Sequence, residues 1–585
     1  MSSQSHPRVP RNMGQVAESA GTTLRSYTVG ALPILNHFLE RMNLPQLLEP
    51  HLPAADGRTK VPVDRGLLLL VRNVLISREP IYGVADWASQ YALDLLGLSP
   101  QQFAALNDDR LGRVLGVFFG ALCPALVLDI VRHQIREFGL RLEELHNDST
   151  SISFFGKYPD AAVEDQRRGR PTAAITWGFS KDHRPDLKQL LYILTVTEDG
   201  GVPVYFTSAS GNTTDDRTHA DTWDLLCQLV GRSDFLYVAD CKLASVANLD
   251  HLARRGGRFV TVLPGTRRED ADFRRSLNDT SQALLWRPLY NVTQRNLEGQ
   301  EQIVDRLSAW GKELATPEGY RLLWYHSHRK AELDRATRLQ RTERALVELA
   351  SLRTRMQSSR TRFRQQVKVE QAVDKILTDR GVERWVRVSI RELETSEFRQ
   401  ATRGRPGKDT QYVRTTQTRF DLSTEVDTAA LERESLEDGV FPLLTNQRDA
   451  SAEEVLRAYK RQPVIEKRFS QFKSDFAVAP VYLKDVGRIQ GLLGVYFLAL
   501  LLQTLLEREL RQAMKREGVE HLPLYGEDRN CRCPTTRKVI DAFELVQRHV
   551  LTRPDGSEEV LTTKLSPLQR RILKLLKVPT SLYGC

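Results

Sequence analysis

The sequence predicts an α/β protein in which a mixed sheet flanked by helices follows a helical N-terminal region. Three observations support this fold class. Residues 32–140 carry apolar side chains at a helical period, with Pro and Gly at the breaks. From about residue 142, segments of strand character alternate with helical segments, which is typical of a sheet covered by helices. The heavily charged residues 265–437 then interrupt this alternation as a long insertion.

The strands are predicted from alternating and unbroken apolar runs. Residues 235–239 form an unbroken apolar run that ends in Asp240, which indicates a strand covered on both faces. Helices are expected at 218–230 and 245–254, on either side of that strand. The other predicted strands are 144–156, 173–179, 190–196, 202–208, 258–263 and 439–446.

These changes of pattern divide the chain into six parts. They are a loose, polar N-terminus (1–28), a helical domain that could bind DNA or only pack (29–140), the first part of the sheet (141–264), the insertion (265–437), the second part of the sheet (438–515) and a C-terminal region (516–585). The insertion contains a long basic helical stretch, 328–377, which we expect to form a helical hairpin. Its basic face could follow phosphates, or it could simply be solvated.

The net charge indicates which class of partner to expect, and the cysteine content indicates which cellular compartment to expect. With 84 Lys and Arg against 74 Asp and Glu, the formal net charge is +10, which favours a polyanionic partner; a basic soluble protein without one is the alternative. Six cysteines are too few for a disulfide scaffold, and Cys531 and Cys533 lack the second pair of a structural zinc site. A reducing, cytoplasmic location is expected, because no apolar run precedes Leu32. The apolar residues 491–506 are short for a membrane span and predict a buried helix.

A helix near residue 466 carries an acid and several bases beside an apolar stripe. The stripe residues are Ile465, Phe469, Phe472 and Phe476. Glu466 and Lys473 are seven residues apart, about two turns, so both project from one edge of this stripe. The alternative is an amphipathic helix with ordinary solvated charges.

Three acids are expected to meet at one end of the sheet. Asp148 lies in the first predicted strand, Asp240 ends the central strand, and Glu466 lies on the later helix. Three converging carboxylates repel one another unless a cation is present, and oxygen ligands suit Mg²⁺ or Mn²⁺, with room for two ions. Alternatively, each acid has an ordinary role: Asp148 at a turn, Asp240 as a helix cap and Glu466 as a surface charge.

The residues around these acids carry a resemblance to a known family. Residues 147–151 surround the first acid, residues 238–242 surround the second, and Tyr459, Glu466 and Lys473 match a Tyr-x2-Arg-x3-Glu-x6-Lys signature. The chain resembles the DDE transposases of bacterial insertion sequences, which have an RNase H-like core. Residues 178–189 and 211–215 resemble one subgroup of these enzymes.

One position departs from the signature. Gln462 stands where the family has arginine, with Arg461 one place earlier and Pro463 directly after. On a regular helix Gln462 lies about 40° from Glu466 and Arg461 about 140° away, so Arg461 substitutes only if Pro463 reorients the turn. The resemblance implies that Tyr459, Arg461 and Lys473 contact DNA phosphates.

The resemblance also implies a function. It implies a multimeric enzyme of the bacterial cytoplasm and nucleoid, without membrane association, that binds terminal inverted repeats in double-stranded DNA. It implies metal-dependent cleavage at those ends and joining to target DNA. The alternatives are a catalytically silent or repurposed DNA-binding protein and a nuclease of the same fold. Three tryptophans of the insertion could stack a flipped base or could simply be buried; they are Trp286, Trp310 and Trp324.

Overall fold

The computed structural model describes residues 17–19, 22–54, 59–277, 285–295, 300–358, 361–526 and 529–584. The chain divides into two compact units. The first unit contains the residues up to Thr261 together with those from Arg457 onward, and the second contains Val262–Leu456. The fold is a mixed α/β fold with a mixed sheet and many helices.

The first unit begins with two strands and a group of helices. The strands are β1 (Ala17–Ser19) and β2 (Thr22–Thr28), and the helices are α1 (Leu32–Met42), α2 (Leu44–Leu48), α3 (Val63–Ile76), α4 (Val84–Ala88), α5 (Leu93–Leu96), α6 (Pro100–Ala104), α7 (Asp108–Ala121) and α8 (Pro124–Phe138). The expectation of a loose segment up to residue 28 is wrong for Thr22–Thr28, because this segment pairs with Gln547–Thr552. Residues 1–16 lie outside the described residues.

The sheet of the first unit has five main strands. They are β3 (Glu144–Phe154), β6 (Lys188–Thr197), β7 (Pro203–Ser210), β8 (Leu236–Val238) and β9 (Arg258–Val262), and the short pair β4 (Gln166–Arg167) and β5 (Arg170–Pro171) lies between β3 and β6 in the chain. The order is β7-β6-β3-β8-β9. β6 pairs antiparallel with β3 and β7, whereas β8 pairs parallel with β3 and β9. The helices α9 (His219–Val230) and α10 (Val246–Arg254) make the crossover connections that parallel strands require.

The strand predicted at residues 173–179 is not present. In this stretch only Thr176 forms a β-bridge, with Gln189. Its apolar residues are split: Ala173–Ile175 are buried, whereas Trp177 and Phe179 are exposed. The alternation that suggested a strand therefore belongs to a loop whose outer aromatic side chains face solvent.

The second unit contains a sheet, a helical hairpin and a two-stranded ribbon. Its elements are α11 (Arg268–Ser276), β10 (Trp286–Arg295), β11 (Glu301–Trp310), β12 (Leu314–Ala315), β13 (Arg321–Ser327), α12 (His328–Gln357), α13 (Gln366–Arg380), β14 (Val386–Gln400), β15 (Tyr412–Val426), α14 (Thr428–Ser435) and β16 (Val440–Thr445). Within the unit β10, β11, β13 and β16 lie side by side, with β12 against β13. The helical stretch predicted at 328–377 consists of α12 and α13, which pack together on a shared apolar core.

The chain returns to the first unit through a series of helices. They are α15 (Ala452–Lys460), α16 (Pro463–Ser470), α17 (Val486–Arg516), α18 (Thr536–Phe543) and α19 (Pro567–Leu576), accompanied by β17 (Leu522–Pro523), β18 (Asn530–Cys531), β19 (Gln547–Thr552) and β20 (Glu558–Thr562). The Ser451 hydroxyl accepts from the Glu454 amide at 3.2 Å, and the Glu454 carboxylate accepts from the Ser451 amide, which caps α15.

α17 is the central helix of the first unit. It is long and apolar enough to cross a membrane, but 94% of its most apolar window is buried inside the protein, as expected for a core helix. It crosses α7 closely at Gly491, where a Cβ atom would lie 2.2 Å from the Leu115 carbonyl oxygen. The helix is longer than the apolar run predicts, because it continues through Glu507 and Arg508, which are buried and paired.

Candidate functional site

Asp148 lies in β3, and Asp240 lies two residues beyond the end of the neighbouring parallel strand β8. β3 pairs with β8 in a register that matches His146 to Val238, and extending that register by two residues places Asp148 opposite Asp240. Neighbouring strands lie about 4.8 Å apart, and residues two apart point to the same face. On this extended register the two residues would point to the same face at the carboxyl end of β8, and the effect of the Asp240 charge on the pKa of Asp148 agrees with their being close.

The pKa of Asp148 is changed by burial and by neighbouring charges. Burial raises the pKa of Asp148 to about 6, and the Asp240 carboxylate also raises it, although Lys181 and the Ser149 amide act in the opposite direction. The Ser149 amide donates to Asp148 Oδ1 at 2.7 Å. Two carboxylates that repel each other in a half-buried site are the arrangement that a bound cation stabilises.

The start of α16 is anchored over this face of the sheet by Gln462. The Gln462 side-chain oxygen accepts from His146 Nδ1 at 2.8 Å, and its side-chain nitrogen donates to the Asn147 carbonyl oxygen at 3.2 Å. Glu466 lies one turn further along the helix and is exposed. Gln462 is therefore a buried residue that fixes the start of the helix to β3.

The pKa of Tyr459 responds to the charges of all three acids. Burial raises the pKa of Tyr459 to about 12, and the charges of Asp240, Cys241, Glu466 and Asp148 contribute in that order. Because such effects weaken with distance, the charges of all three acids act within range of this phenol. Within the ranges that the structure describes, however, no three His, Cys, Asp or Glu side chains are arranged so that they could hold a metal ion.

Lys181 places a cation among the carboxylates. Its Nζ lies 2.9 Å from Asp215 Oδ2 and 3.4 Å from Asp148 Oδ1, and it donates to the Ser149 hydroxyl and carbonyl oxygens at 2.8 Å. Burial lowers the pKa of Lys181, but Asp148, Asp215 and Asp240 outweigh burial, so the pKa is raised. Lys181 therefore remains charged and balances part of the negative charge of the site.

Asp215 completes this network from a second loop. The Ser149 hydroxyl donates to Asp215 Oδ1 at 2.6 Å. Burial opposes ionisation of Asp215, but Lys181 and Ser149 outweigh burial and lower its pKa. Sequence reasoning gave no role to Lys181 or Asp215, although both lie in the motifs at 178–189 and 211–215.

Two glycines are a signal that could have linked these motifs. A Cβ atom at Gly178 would lie 1.8 Å from the Gly211 carbonyl oxygen, so the two loops touch through their backbones. Only glycine fits at such a contact. The two glycine-led motifs, which contribute Lys181 and Asp215 to the network, therefore lie on two loops that meet at one place.

His219 is a further residue that the sequence did not point to. It is 3% exposed, and its Nδ1 lies 3.1 Å from the Tyr237 hydroxyl. Burial lowers the pKa of His219, while Asp240 and Asp215 act to raise it. Its Nε2 has no hydrogen-bond partner among the described residues. His219 is therefore a buried imidazole whose pKa responds to the charges of Asp240 and Asp215.

Arg461 forms ion pairs with carboxylates of its own chain. Pro463 begins α16 and separates it from α15, so the break that would reorient Arg461 is present. The guanidinium then forms a bidentate pair with the buried Glu144, with Nε 2.6 Å from Oε1, and a longer contact of 3.4 Å with Glu198. A phosphate would have to compete with these carboxylates, which weakens the prediction that Arg461 contacts DNA.

Lys473 lies close to the loop that carries Lys181. Its ammonium group pairs with the carboxylate of Asp182. The helix from Glu466 to Lys473 was expected to be regular, but residues Gln471–Asp475 form a π-helical turn. The simple angular relation between Glu466 and Lys473 therefore does not hold, since a π-turn has more residues per turn than an α-helix.

Exposed aromatic side chains border the site on the same loop. Trp177 is 60% exposed and Phe179 is 87% exposed. The Lys188 ammonium lies 4.9 Å from the centre of the Trp177 ring. Exposed rings beside cations can stack unpaired bases and hold their phosphates.

The tryptophans of the insertion are packed against other aromatic side chains. Trp324 is 1% exposed and stacks on Phe273 with ring centres 3.8 Å apart, and Trp310 is 7% exposed. Trp286 meets Trp310 edge-on at 5.0 Å. These contacts favour the alternative of a buried, structural role for this group.

Comparisons with known proteins add limited information. Residues 24–132 match the family model described as a domain of unknown function, DUF4277, which covers the N-terminal helices and none of the three acids. No curated protein matches the chain. Among solved structures, the chain is similar to the piggyBac transposase synaptic complex with hairpin DNA, studied by cryo-EM, at 11% sequence identity and a TM-score of 0.24. The similarity covers 50% of this chain and 60% of that one, and a TM-score this low does not establish a shared fold.

Proposed function

We propose that the protein is a DDE transposase that binds the terminal inverted repeats of an insertion sequence, cleaves the DNA ends and joins them to target DNA. One observation carries the proposal: Asp148 lies in β3, Asp240 follows the parallel neighbour β8, and the charges of both acids and of Glu466 raise the pKa of Tyr459. Acids in this arrangement, in the sequence order of the family, are what the chemistry requires. The N-terminal match adds support, because this domain is often found in transposases.

The topology supports an RNase H-like core as part of this proposal. The sheet combines antiparallel strands β7, β6 and β3 with parallel strands β3, β8 and β9. The insertion separates this sheet from the helix that carries Glu466, as the resemblance implies. Ligand sites in α/β sheets form beyond the carboxyl ends of strands, where Asp240 lies.

Two Mg²⁺ or Mn²⁺ ions are the proposed cofactors. Their ligands would be the carboxylates of Asp148, Asp240 and Glu466, because hard cations prefer such oxygens. When bound, the ions would activate the attacking water or 3′-hydroxyl and stabilise the leaving oxygen. Since no ready-made three-ligand group exists among the described residues, assembly of the ligand set is itself part of the proposal.

The chain's own cations and aromatic groups would hold the DNA. Lys473 and Tyr459 would contact phosphates beside the acids, and Lys181 would balance the charge of Asp148. Trp177 and Phe179 offer exposed rings for an unpaired base near the cleaved end. Pairing of two element ends implies a multimer on DNA, and we place the protein in the bacterial cytoplasm.

The decisive experiment compares isosteric variants of the three acids. Asp148→Asn, Asp240→Asn and Glu466→Gln should each lower strand cleavage of a terminal-repeat substrate about 1,000-fold or more, because each removes a ligand charge. Binding to the same DNA should change only a few-fold. Asp234→Asn is the matched control, since Asp234 is an exposed acid next to the opposite end of β8. An acid variant that cleaves normally would remove that residue from the site.

A catalytically silent DNA-binding protein is the second candidate. The absence of a three-ligand group among the described residues favours it. The same assay separates the two, because a silent protein would bind terminal repeats yet leave both strands intact in Mg²⁺ and in Mn²⁺. Cleavage by the parent chain that is lost in all three acid variants would exclude this candidate.

A further inference from the structure

The second unit carries a long two-stranded ribbon. β14 and β15 pair over 15 residues each, from Val386 opposite Val426 to Gln400 opposite Tyr412. They form a sheet of two strands that joins no other strand. An isolated ribbon of this kind is only marginally stable in water, so it must be held at one end or bound by a partner.

The helical hairpin holds the ribbon at its base. Val386, Phe420 and Leu422 are buried in the core that α12 and α13 form. Beyond Phe420 the strand continues for eight residues to Tyr412, about 27 Å at the usual rise per residue. The residues from 411 to 416 are all exposed, so neither face of this outer part is covered within its unit. Among the described residues of its unit, therefore, no other element covers the outer ribbon.

The end of the ribbon is strongly basic. Residues 399–414 contain five cations and one acid, Asp409, which leaves a formal charge of +4. The cations are Arg399, Arg403, Arg405, Lys408 and Arg414. Among the described residues, Arg403, Arg405 and Lys408 form no ion pair, and all three are exposed. The segment Gly404–Lys408 lacks the spacing of a phosphate-binding loop, and the structure places it at this turn.

Two aromatic residues share one face near this basic end. Phe398 lies opposite Arg414 and Gln400 lies opposite Tyr412, so all four side chains point to the same side. Phe398 is 65% exposed and Tyr412 is 54% exposed. The outer ribbon thus combines cations with exposed rings, which suits contact with a nucleic acid rather than with an apolar protein surface.

We propose that the outer ribbon of the insertion enters the major groove of double-helical DNA. The major groove is about 12 Å wide and admits a two-stranded ribbon, whose strands are about 4.8 Å apart. The cations of the turn would contact phosphates, and Phe398 and Tyr412 would contact base edges or sugars. The inference rests on the proposed function only in taking DNA as the partner.

A second copy of this chain fits the ribbon less well. A symmetric contact would bring the same basic turn of both copies together, and like charges repel. A polyanion relieves this repulsion, since each phosphate contact neutralises a cation and releases bound counterions. Charge complementarity therefore selects DNA as the occupant.

The test compares two triple variants of the full chain. Arg403→Ala, Arg405→Ala and Lys408→Ala together remove three cations from the ribbon. The control replaces Arg335, Arg341 and Arg344 of α12, three exposed arginines of the same unit that form no ion pair among the described residues. Both variants lose the same charge, so a difference between them reports the ribbon itself.

Binding to a 30-base-pair duplex of mixed sequence would be followed by fluorescence anisotropy over a range of salt concentrations. The ribbon variant should bind about 10-fold or more weakly near 0.1 M salt, with a salt slope reduced by about 3, because three phosphate contacts are lost. The α12 variant should stay within about 3-fold of the parent. Equal losses in both variants would overturn the proposal.

A methylation-protection experiment tests directly whether the ribbon enters the major groove. Methylation of guanine N7, which faces the major groove, should be blocked by the parent chain and restored by the ribbon variant. Unchanged protection in the ribbon variant would contradict groove entry. Circular dichroism and thermal melting of both variants would verify that the fold is intact.

The outcomes separate this inference from the proposed function. A ribbon variant that binds and protects DNA like the parent, while the parent cleaves terminal repeats, would end the ribbon inference alone. A parent chain that binds no duplex would end both. If light scattering shows that the ribbon variant changes from dimer to monomer with unchanged DNA affinity, the ribbon is an interface between copies and the proposal fails.

Discussion

The charged groups discussed in the two units differ in burial and in how strongly they interact with one another. In the first unit, Asp148, Asp240, Asp215 and Lys181 form a half-buried group in which each charge alters the pKa of another. In the second unit, the cations of the ribbon are exposed and act independently of the core. The difference indicates that substitutions in the first group should change stability and chemistry together, whereas substitutions in the ribbon should change binding alone.

The largest effect is expected at the buried ion pair of the first unit. Arg468 and Glu507 are 1% and 0% exposed and lie 2.8 Å apart, and burial lowers the pKa of Arg468. Arg468→Met should lower the free energy of unfolding by about 3–5 kcal/mol, because it leaves the Glu507 charge buried with weakened compensation. Calorimetric melting measures the loss. Replacing Glu507 by Met as well should restore much of it, and a single variant as stable as the parent would contradict this account.

The helical hairpin that holds the ribbon gives the next largest effect. Leu349 is fully buried in α12, and Leu349→Ala should cost about 3 kcal/mol of unfolding free energy through the cavity it creates. Leu339 lies on the same helix but is 52% exposed, so Leu339→Ala should cost less than about 0.5 kcal/mol. Urea denaturation of the two variants measures the contrast. Equal losses would show that the base of the ribbon is not anchored as described.

A smaller and pH-dependent effect is expected at Asp148. Its pKa is raised from 3.8 to about 6, so the stabilising protonated form is present below about pH 4 and is lost as the pH rises through about 6. Asp148→Asn keeps the neutral form at every pH. The variant should therefore match the parent near pH 4 and exceed its unfolding free energy by about 2 kcal/mol at pH 7.

Thermal melting at several pH values measures this difference. Asp234→Asn, the exposed control, should stay within about 0.5 kcal/mol of the parent at each pH. A gain for Asp148→Asn that does not grow between pH 4 and pH 7 would contradict the raised pKa. Combined with loss of cleavage, the predicted gain would identify an acid that is kept for chemistry at a cost in stability.

Part of this architecture follows from local sequence patterns. The buried strand before Asp240, the helical hairpin of the insertion and the cap at Ser451 all depend on residues that are neighbours in the chain. The relation of Asp148 to Asp240 also follows from a general rule about strand ends. Local patterns and one topological rule therefore predict the strands and helices that surround the candidate site.

Other features depend on distant partners and leave little local signal. β2 is polar and reads as a loose terminus, but it pairs with β19, more than 500 residues away, where Ser26 contacts His549 at 2.8 Å. Arg461 reads as a free cation until Glu144 is placed beside it. Lys181 and Asp215 likewise acquire meaning only when their two loops meet. These contacts cannot be read from periodicity, because nothing in the neighbouring residues encodes the partner.

The ammonium group of Lys181 has a consequence for how such a protein is stored. Its charge is built into the chain, so part of the negative charge of the acidic face is balanced from the moment of synthesis. Folding then need not wait for any ion from the surroundings. We therefore expect the melting temperature of the purified protein to be nearly the same with and without a chelator of divalent ions.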